Sequence, residues 1–325
     1  MSLNISTPIS GLTIIVVLFC SCSIEIDTSL DAKSFPIVYS VFNKYDTLNT
    51  VYVTRSFSGD GGALNDSKIN DSIYFDNIRV EVLLKKKFFG GSDTVQLLRT
   101  QSSHKESGFF HNPDVEYFSL NKDISEFDWY QTKVIISGNN EYVGSTLMIE
   151  PPELLSPKHD HSTISIYKDN PLTLSWYTKN HTWYDIRVDF FIITNSGIET
   201  QMDTITYIKS GIIPDASVDF YRESITTDKL LSLLNSKYSS NNVSTRKIES
   251  IESTVFCGDE SFLEYMEEYN WRMNHVFFMD FDTTSFMGIA SSKANSTLTN
   301  LQLDIKSKRF LAEDPQFQKF KFVVW

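Results

Sequence analysis

The chain is short of cysteine, with three in 325 residues, at positions 20, 22 and 257. A fold stapled by several disulfides is therefore excluded, and packing must hold the core. Long apolar runs are also missing. A bilayer-spanning helix needs about 20 apolar residues, and the run near the N-terminus extends only from Ile14 to Cys20. Basic residues are outnumbered, 29 Lys and Arg against 41 Asp and Glu, giving a net charge of −12. That balance argues against nucleic acid as a partner, because such affinity rests on cations that neutralise phosphates. No Gly-x-Ser-x-Gly elbow of a serine hydrolase occurs. The Gly-rich stretch Ser58–Asp66 lacks the Lys-Ser/Thr pair of a phosphate loop and the alternating acids of an EF-hand; it reads as a surface loop. What the chain has in quantity is aromatic residues, 14% of the total, within a hydrophobic fraction of 41%. That is enough for a packed core, and it favours strands.

The N-terminal run has the length of a signal-peptide core, and Phe19-Cys20-Ser21-Cys22 follows it. This order resembles a bacterial lipobox with Cys22 as the lipid-bearing residue. It predicts a signal peptide over 1–21, an acylated Cys22 and a polar tether over 22–34. Two or more acyl chains anchor a protein stably. Met1–Ser10 holds no Lys or Arg, a departure from the usual basic start, and the competing reading is a buried N-terminal strand. Glu25 and Asp27 lie close behind Cys22, loosely resembling the acidic export signal that sends such lipoproteins to the cell surface.

Beyond the tether, alternation predicts strands. Phe35–Asn43 is a dense apolar run, Thr50–Phe57 and Asn77–Leu84 alternate, and a turn at Gly90-Gly91 leads into Thr94–Thr100. Further strands are expected at Gly108–His111, Glu116–Leu120, Tyr130–Ser137 and Tyr142–Glu150. About seven or eight short strands suggest a sandwich over 35–150. Residues 151–162, with three of the nine prolines, read as a linker. In the second half, 163–325, Leu172 and Leu174 precede Trp176, and Tyr184, Ile186 and Val188 alternate after a short turn. This resembles the B and C strands of a fibronectin type III-like sandwich. Thr227–Tyr238 predicts one short packing helix, capped by Thr227 or Asp228, with Leu230, Leu231, Leu233 and Leu234 on its apolar face. Ile248 and Ile251 break strict alternation, which points to a bulge. Ser261–Met273 fits a strand or a helix by pattern. Cys257 reads as a buried strand-end residue. The fold class expected is all-β, with two Ig-like or fibronectin type III-like sandwich domains and one helix in the second.

Several phrases are similar to a family of uncharacterised Bacteroidota lipoproteins. They are Val38-Tyr39, Asp46-Thr47, Arg55 to Phe57, Gly59–Ala63 and Asp71-Ser72 near the start, and Gly288-Ile289, Ser291-Ser292-Lys293 and Leu298–Leu303 near the end. The Asn-containing phrase that usually precedes the Gly-Ile element is replaced here by Phe278–Phe286. The resemblance implies an outer-membrane or surface lipoprotein with paired β-sandwich domains, tips Ser261–Met273 toward a strand, and implies no reaction.

Candidate chemistry is thin. His159-Asp160-His161 could seed a metal site, but three consecutive residues cannot surround one ion. His104 and His111 lie in a separate stretch. Asp280 and Asp282 would share a strand face, and glycosidases use two carboxylates, but such pairs arise readily in an acidic chain. Five tripeptides, starting at Asp46, Asp71, Asp93, Asp203 and Asp282, fit either an O-glycosylation pattern or strand starts after Asp turns. Trp129, Tyr130, Trp183 and Tyr184 are candidate ligand contacts, with core placement the competing reading. The function expected is that of a non-enzymatic envelope lipoprotein. It would bind a glycan or an outer-membrane protein in nutrient uptake or attachment, with no cofactor, no metal and no catalytic residue. The alternative is a structural or adhesive component of an envelope complex, and a hydrolase is the third reading.

Overall fold

A computed structural model describes residues 35–56, 73–87, 90–102, 115–136, 140–178, 182–197, 199–215, 217–238, 244–264 and 287–324. Cys22 and its tether, the loop around Ser58–Asp66, the strand expected at Gly108–His111, and Asp280 and Asp282 lie outside the described residues. The described chain is mostly β, as expected from its alternating aromatic and β-branched segments.

The N-terminal half contributes β1 (Pro36–Phe42), β2 (Asn49–Arg55), β3 (Ile78–Lys85), β4 (Ser92–Gln96), β5 (Leu98–Ser102), β6 (Val115–Leu120), β7 (Trp129–Ile136) and β8 (Asn140–Leu147). Strands β4-β3-β7-β8 form one sheet. It shares a core with β1, β2 and β6, and that core includes Val38, Phe42 and Val51 from one side and Val80, Leu84, Tyr130 and Val134 from the other. Thr94–Thr100, expected as one strand, is split at buried Leu97. β4 stays in the four-stranded sheet, while β5 crosses to pair with β6. Local alternation could not reveal this, because each piece alternates normally.

The C-terminal half contributes β9 (Leu154–Ser156), β10 (Thr163–Ile164), β11 (Leu172–Tyr177), β12 (Trp183–Asn195), β13 (Thr200–Ile212), β14 (Phe220–Ile225), helix α1 (Thr227–Lys237), β15 (Thr245–Gly258), β16 (Met287–Leu303) and helix α2 (Ile305–Glu313). A three-stranded sheet, β14-β11-β9, shares a second core with β12, β13, β15 and β16. Trp176 lies in that core, tilted against Tyr184 with ring centroids 5.6 Å apart. The segment 151–162 carries β9, and the carbonyl of Pro152 accepts a bond from Ser296 Oγ at 2.6 Å.

Two cores do not make two separate sheets. The largest sheet runs β13-β12-β15-β16-β1-β2-β6-β5 and joins both halves through β16. Its first residues pair in parallel with β1, from Met287 opposite Ile37 to Ser292 opposite Phe42. Its later residues pair antiparallel with β15, from Lys293 opposite Gly258 to Leu301 opposite Ile251. β16 is therefore a spine, with the two halves placed one beyond the other along it.

The bulge expected near Ile248 is present. Ile192 opposes Ile248 while Phe191 opposes Ser250, so Glu249 is the extra residue and both isoleucines reach the core. α1 is capped one residue earlier than expected, by Thr226, whose hydroxyl accepts from Lys229 N at 3.3 Å. Leu230 and Leu234 are buried beneath it. Glu260–Glu264 wind as a helical turn, not the strand that the resemblance favoured. Asp259 caps that turn by accepting from Phe262 N at 2.9 Å, and this satisfies an amide that a helix start leaves unpaired. α2 was not expected; Asp304 starts it by accepting from Ser307 N at 2.7 Å.

Cys257 is fully buried near the end of β15, with Sγ 3.4 Å from the carbonyl of Ala294. Burial pushes its thiol up to about 12, so almost no thiolate exists at neutral pH. The expected result is no labelling of Cys257 by a thiol reagent at pH 8 in the folded protein and full labelling in urea. Rapid labelling of the folded protein contradicts this placement.

Candidate functional site

The strand ends of both halves meet at the waist. β3 ends in the run Lys85-Lys86-Lys87, β7 begins after Asp128, and β8 runs out through Leu147 toward Glu150 and Pro151. With Glu153 and with Tyr177 from β11, these residues line a cleft of about 1140 Å³. Trp129 forms part of its wall, and Lys85 Nζ lies 4.4 Å from the ring centroid, within cation–π range. Phe220, half exposed, stands opposite Tyr177 in the β11–β14 register.

The charged groups of the cleft are largely fixed in place. Asp128 Oδ2 accepts the amide of Lys87 at 2.8 Å. Lys86 pairs with Glu126. Glu150 accepts from both Lys44 Nζ and Tyr45 Oη, so the first loop of the N-terminal half grips the chain where it passes to the second. Burial works against the Glu150 charge, but the bonds from Lys44 and Tyr45 outweigh it and hold the carboxyl below its usual range. Burial first, and then the Glu150 bond, push the Tyr45 hydroxyl up to about 12. Such a surface offers aromatic faces, fixed carboxylates and lysine donors around one opening. It can stack on and hydrogen-bond a polyhydroxylated ligand.

Of the four aromatic residues read as candidate contacts, the structure brings one to this cleft. Trp129 lines it, whereas Tyr130 turns the opposite way, as neighbours on a strand must. Tyr130 is fully buried, stacks on Phe42 at 4.3 Å, and its hydroxyl lies 2.6 Å from the carbonyls of both Ser40 and Ser291. Burial raises its hydroxyl far above the ordinary phenol range. Tyr184 is also fully buried, and Trp183 is only 9% exposed and packs on Phe262 at 4.8 Å. These three are core residues, which corrects the contact reading. Lys85, Asp128, Glu150 and Tyr177 were missed. The lysine run at a strand end was the one local signal for them.

The other chemistry is accounted for elsewhere. Asp160 Oδ1 accepts from Thr299 N at 2.6 Å, and that bond holds its carboxyl below the usual range. Asp160 thus fastens its turn to β16. Among the described residues no cluster of three metal-ligating groups occurs. Buried Glu223 accepts from Lys209 at 2.6 Å, Lys229 at 2.9 Å and Tyr207 at 2.7 Å, tying β14 to β13 and α1. Thr47, Thr94 and Thr204, of the Asp-Thr tripeptides, are exposed, and the tripeptides at Asp71 and Asp282 lie wholly or partly outside the described residues.

No protein-family model and no curated protein matches the chain. The solved structures similar to it include the following two. The first is a DUF4785 family protein from Legionella pneumophila, at 12% identity and a TM-score of 0.22; the match covers 68% of this chain and 52% of that one. The second is the C-terminal globular domain of an oligosaccharyltransferase from Pyrococcus abyssi, at 10% identity and a TM-score of 0.19; it covers 82% of this chain and 48% of that one. The chain thus spans about half the length of each, and at these scores neither bears on its function.

Proposed function

We propose that this chain is a non-enzymatic, lipid-anchored envelope protein that binds a glycan in the waist cleft. The observation that carries the reading is the meeting of Trp129, Tyr177 and the carboxylates of Asp128, Glu150 and Glu153 around one opening of about 1140 Å³. Aromatic faces stack on the C–H faces of sugars, and fixed polar groups orient the hydroxyls. Glu150 and Asp128 already accept bonds from neighbouring protein groups, which suits a binding surface better than a general acid and base. Each half is proposed to be an Ig-like or fibronectin type III-like sandwich. Its support is the two separate cores, each lying between two sheets.

The location is proposed to be the outer membrane, with Cys22 acylated and the protein on the cell surface. Among the described residues no helix is long and apolar enough to cross a membrane.

The test has two parts. Protease shaving of intact cells is expected to remove the wild-type protein, and Cys22→Ala is expected to release it from the membrane fraction. On a glycan array, Trp129→Ala is expected to weaken binding of the best ligand at least tenfold, with thermal stability nearly unchanged. An array on which Trp129→Ala binds like wild type rejects the cleft as the site.

A further inference from the structure

One face of the large sheet is chemically unlike the rest of this acidic molecule. Side chains alternate across a strand, so the register decides which residues share a face. Tyr39 of β1 stands opposite Tyr52 of β2. Val51 stands opposite Phe118 of β6, which places Tyr52 beside Tyr117. The rings of Tyr52 and Tyr117 have centroids 6.0 Å apart. All three tyrosines point away from the core, and Tyr39 and Tyr52 are 38% and 39% exposed. Thr100 of β5 continues the row beside Tyr117.

The same face carries hydroxyls above and below the row, among them Thr50, Thr54 and Ser119. No outward position on β1, β2, β6 or β5 is Asp, Glu, Lys or Arg, although 22% of the chain is charged. The face is therefore neutral, with a tyrosine row at its centre and hydroxyl and aliphatic side chains on either side.

Each property narrows the partner. Without Lys or Arg the face offers nothing to phosphates or to an anionic lipid surface. A protein interface of ordinary kind would centre on a tightly packed apolar core, whereas here the centre is tyrosine and threonine, and the aliphatic Ile37, Val41, Val115 and exposed Leu98 lie above and below the row. A neutral polyhydroxylated chain fits it. Sugar C–H faces can lie on the tyrosine rings, the phenol and threonine hydroxyls can exchange hydrogen bonds with sugar hydroxyls, and no charge has to be stripped of water.

We propose that the outward face of β1, β2 and β6 is a platform for a neutral glycan chain, separate from the waist cleft, with Tyr52 and Tyr117 as its stacking pair. Two strand spacings, roughly 10 Å, separate the first and third tyrosines, a disaccharide-sized span. The platform lies at mid-strand, whereas the cleft lies beyond the strand ends.

Affinity electrophoresis in gels containing soluble glucan, xylan, mannan or galactan tests this, with polygalacturonate as an anionic control. At least one neutral polysaccharide is expected to retard the wild-type protein. Tyr52→Ala/Tyr117→Ala is expected to lose that retardation at least tenfold, while Tyr52→Phe/Tyr117→Phe keeps most of it. Both tyrosines point outward, so a thermal melt of the double alanine variant should stay close to wild type. The platform is overturned if no neutral polysaccharide retards the protein, if only polygalacturonate does, or if the double alanine variant migrates like wild type. Loss of retardation with Trp129→Ala but not with the tyrosine variant also overturns the platform, while leaving the cleft reading in place.

Discussion

Replacing Gly288 with alanine is expected to destabilise the folded protein by about 4 kcal/mol. Gly288 sits where β16 lies against β1, opposite Val38, with φ at +111°. A Cβ added there would stand 2.0 Å from the Val38 carbonyl oxygen and 3.0 Å from its nitrogen. Both atoms are backbone, so no side-chain rotation relieves the contact; β1 must move off the spine strand. The backbone conformation adds a further cost of roughly 1–3 kcal/mol for a residue with a Cβ, and forced overpacking costs about as much again. With a urea slope of about 3 kcal/mol/M, the midpoint should fall by more than about 1 M. Gly90→Ala is the control. Its φ is +62°, but nothing lies within 4 Å of the new methyl, so the expected loss is about 1 kcal/mol. If the two variants unfold at the same urea concentration, the parallel pairing of β1 with β16 is wrong.

The second large effect is expected at Asp259. Its carboxylate is buried and accepts from Ser291 Oγ at 2.6 Å, Thr146 Oγ1 at 2.7 Å, Ser292 N at 2.9 Å and Phe262 N at 2.9 Å. Thr146 belongs to the N-terminal half, and the two serines belong to the spine strand. One side chain therefore fastens β8 and β16 together and caps a helical turn. Asp259→Ala removes every one of those acceptors at once. A lost bond to a charged group is worth about 1.5–3 kcal/mol, and each stranded buried donor adds to the loss. The expected destabilisation is about 4 kcal/mol by urea unfolding. Asp259→Asn keeps one acceptor oxygen and should lose roughly half as much. A loss under about 1 kcal/mol for the alanine variant removes the latch from the account of how the halves are joined.

Both residues show where sequence reading stops. The phrase Gly288-Ile289 stood out by resemblance, but its steric reason exists only once β16 lies against β1, some 250 residues distant in the chain. Asp259 gave no signal at all, because its donors come from three separate segments. The waist cleft is similar: Trp129 was legible as an aromatic at a strand start, while Tyr177 and Glu150 joined it only through the stacking of the two halves. The tyrosine row depends on registers that no one strand contains.

Local physics settled a good deal by itself. A dense apolar run marked β1, and alternation of apolar residues marked β2, β3, β11 and the start of β12, because a half-buried strand must alternate. The broken alternation at Ile248 and Ile251 marked the bulge, since both had to reach one core. The leucine-rich stretch before Tyr238 marked α1, and apolar neighbours placed Cys257 in the core. Tertiary structure alone decided which strands pair. It split Thr94–Thr100 between two sheets, sent Tyr130 and Tyr184 inward and Trp129 outward, and made one strand the spine of both halves. The reason is that a strand's own pattern says which of its residues are buried but not against what. Pairing is a long-range choice, fixed by the combined burial of both partners.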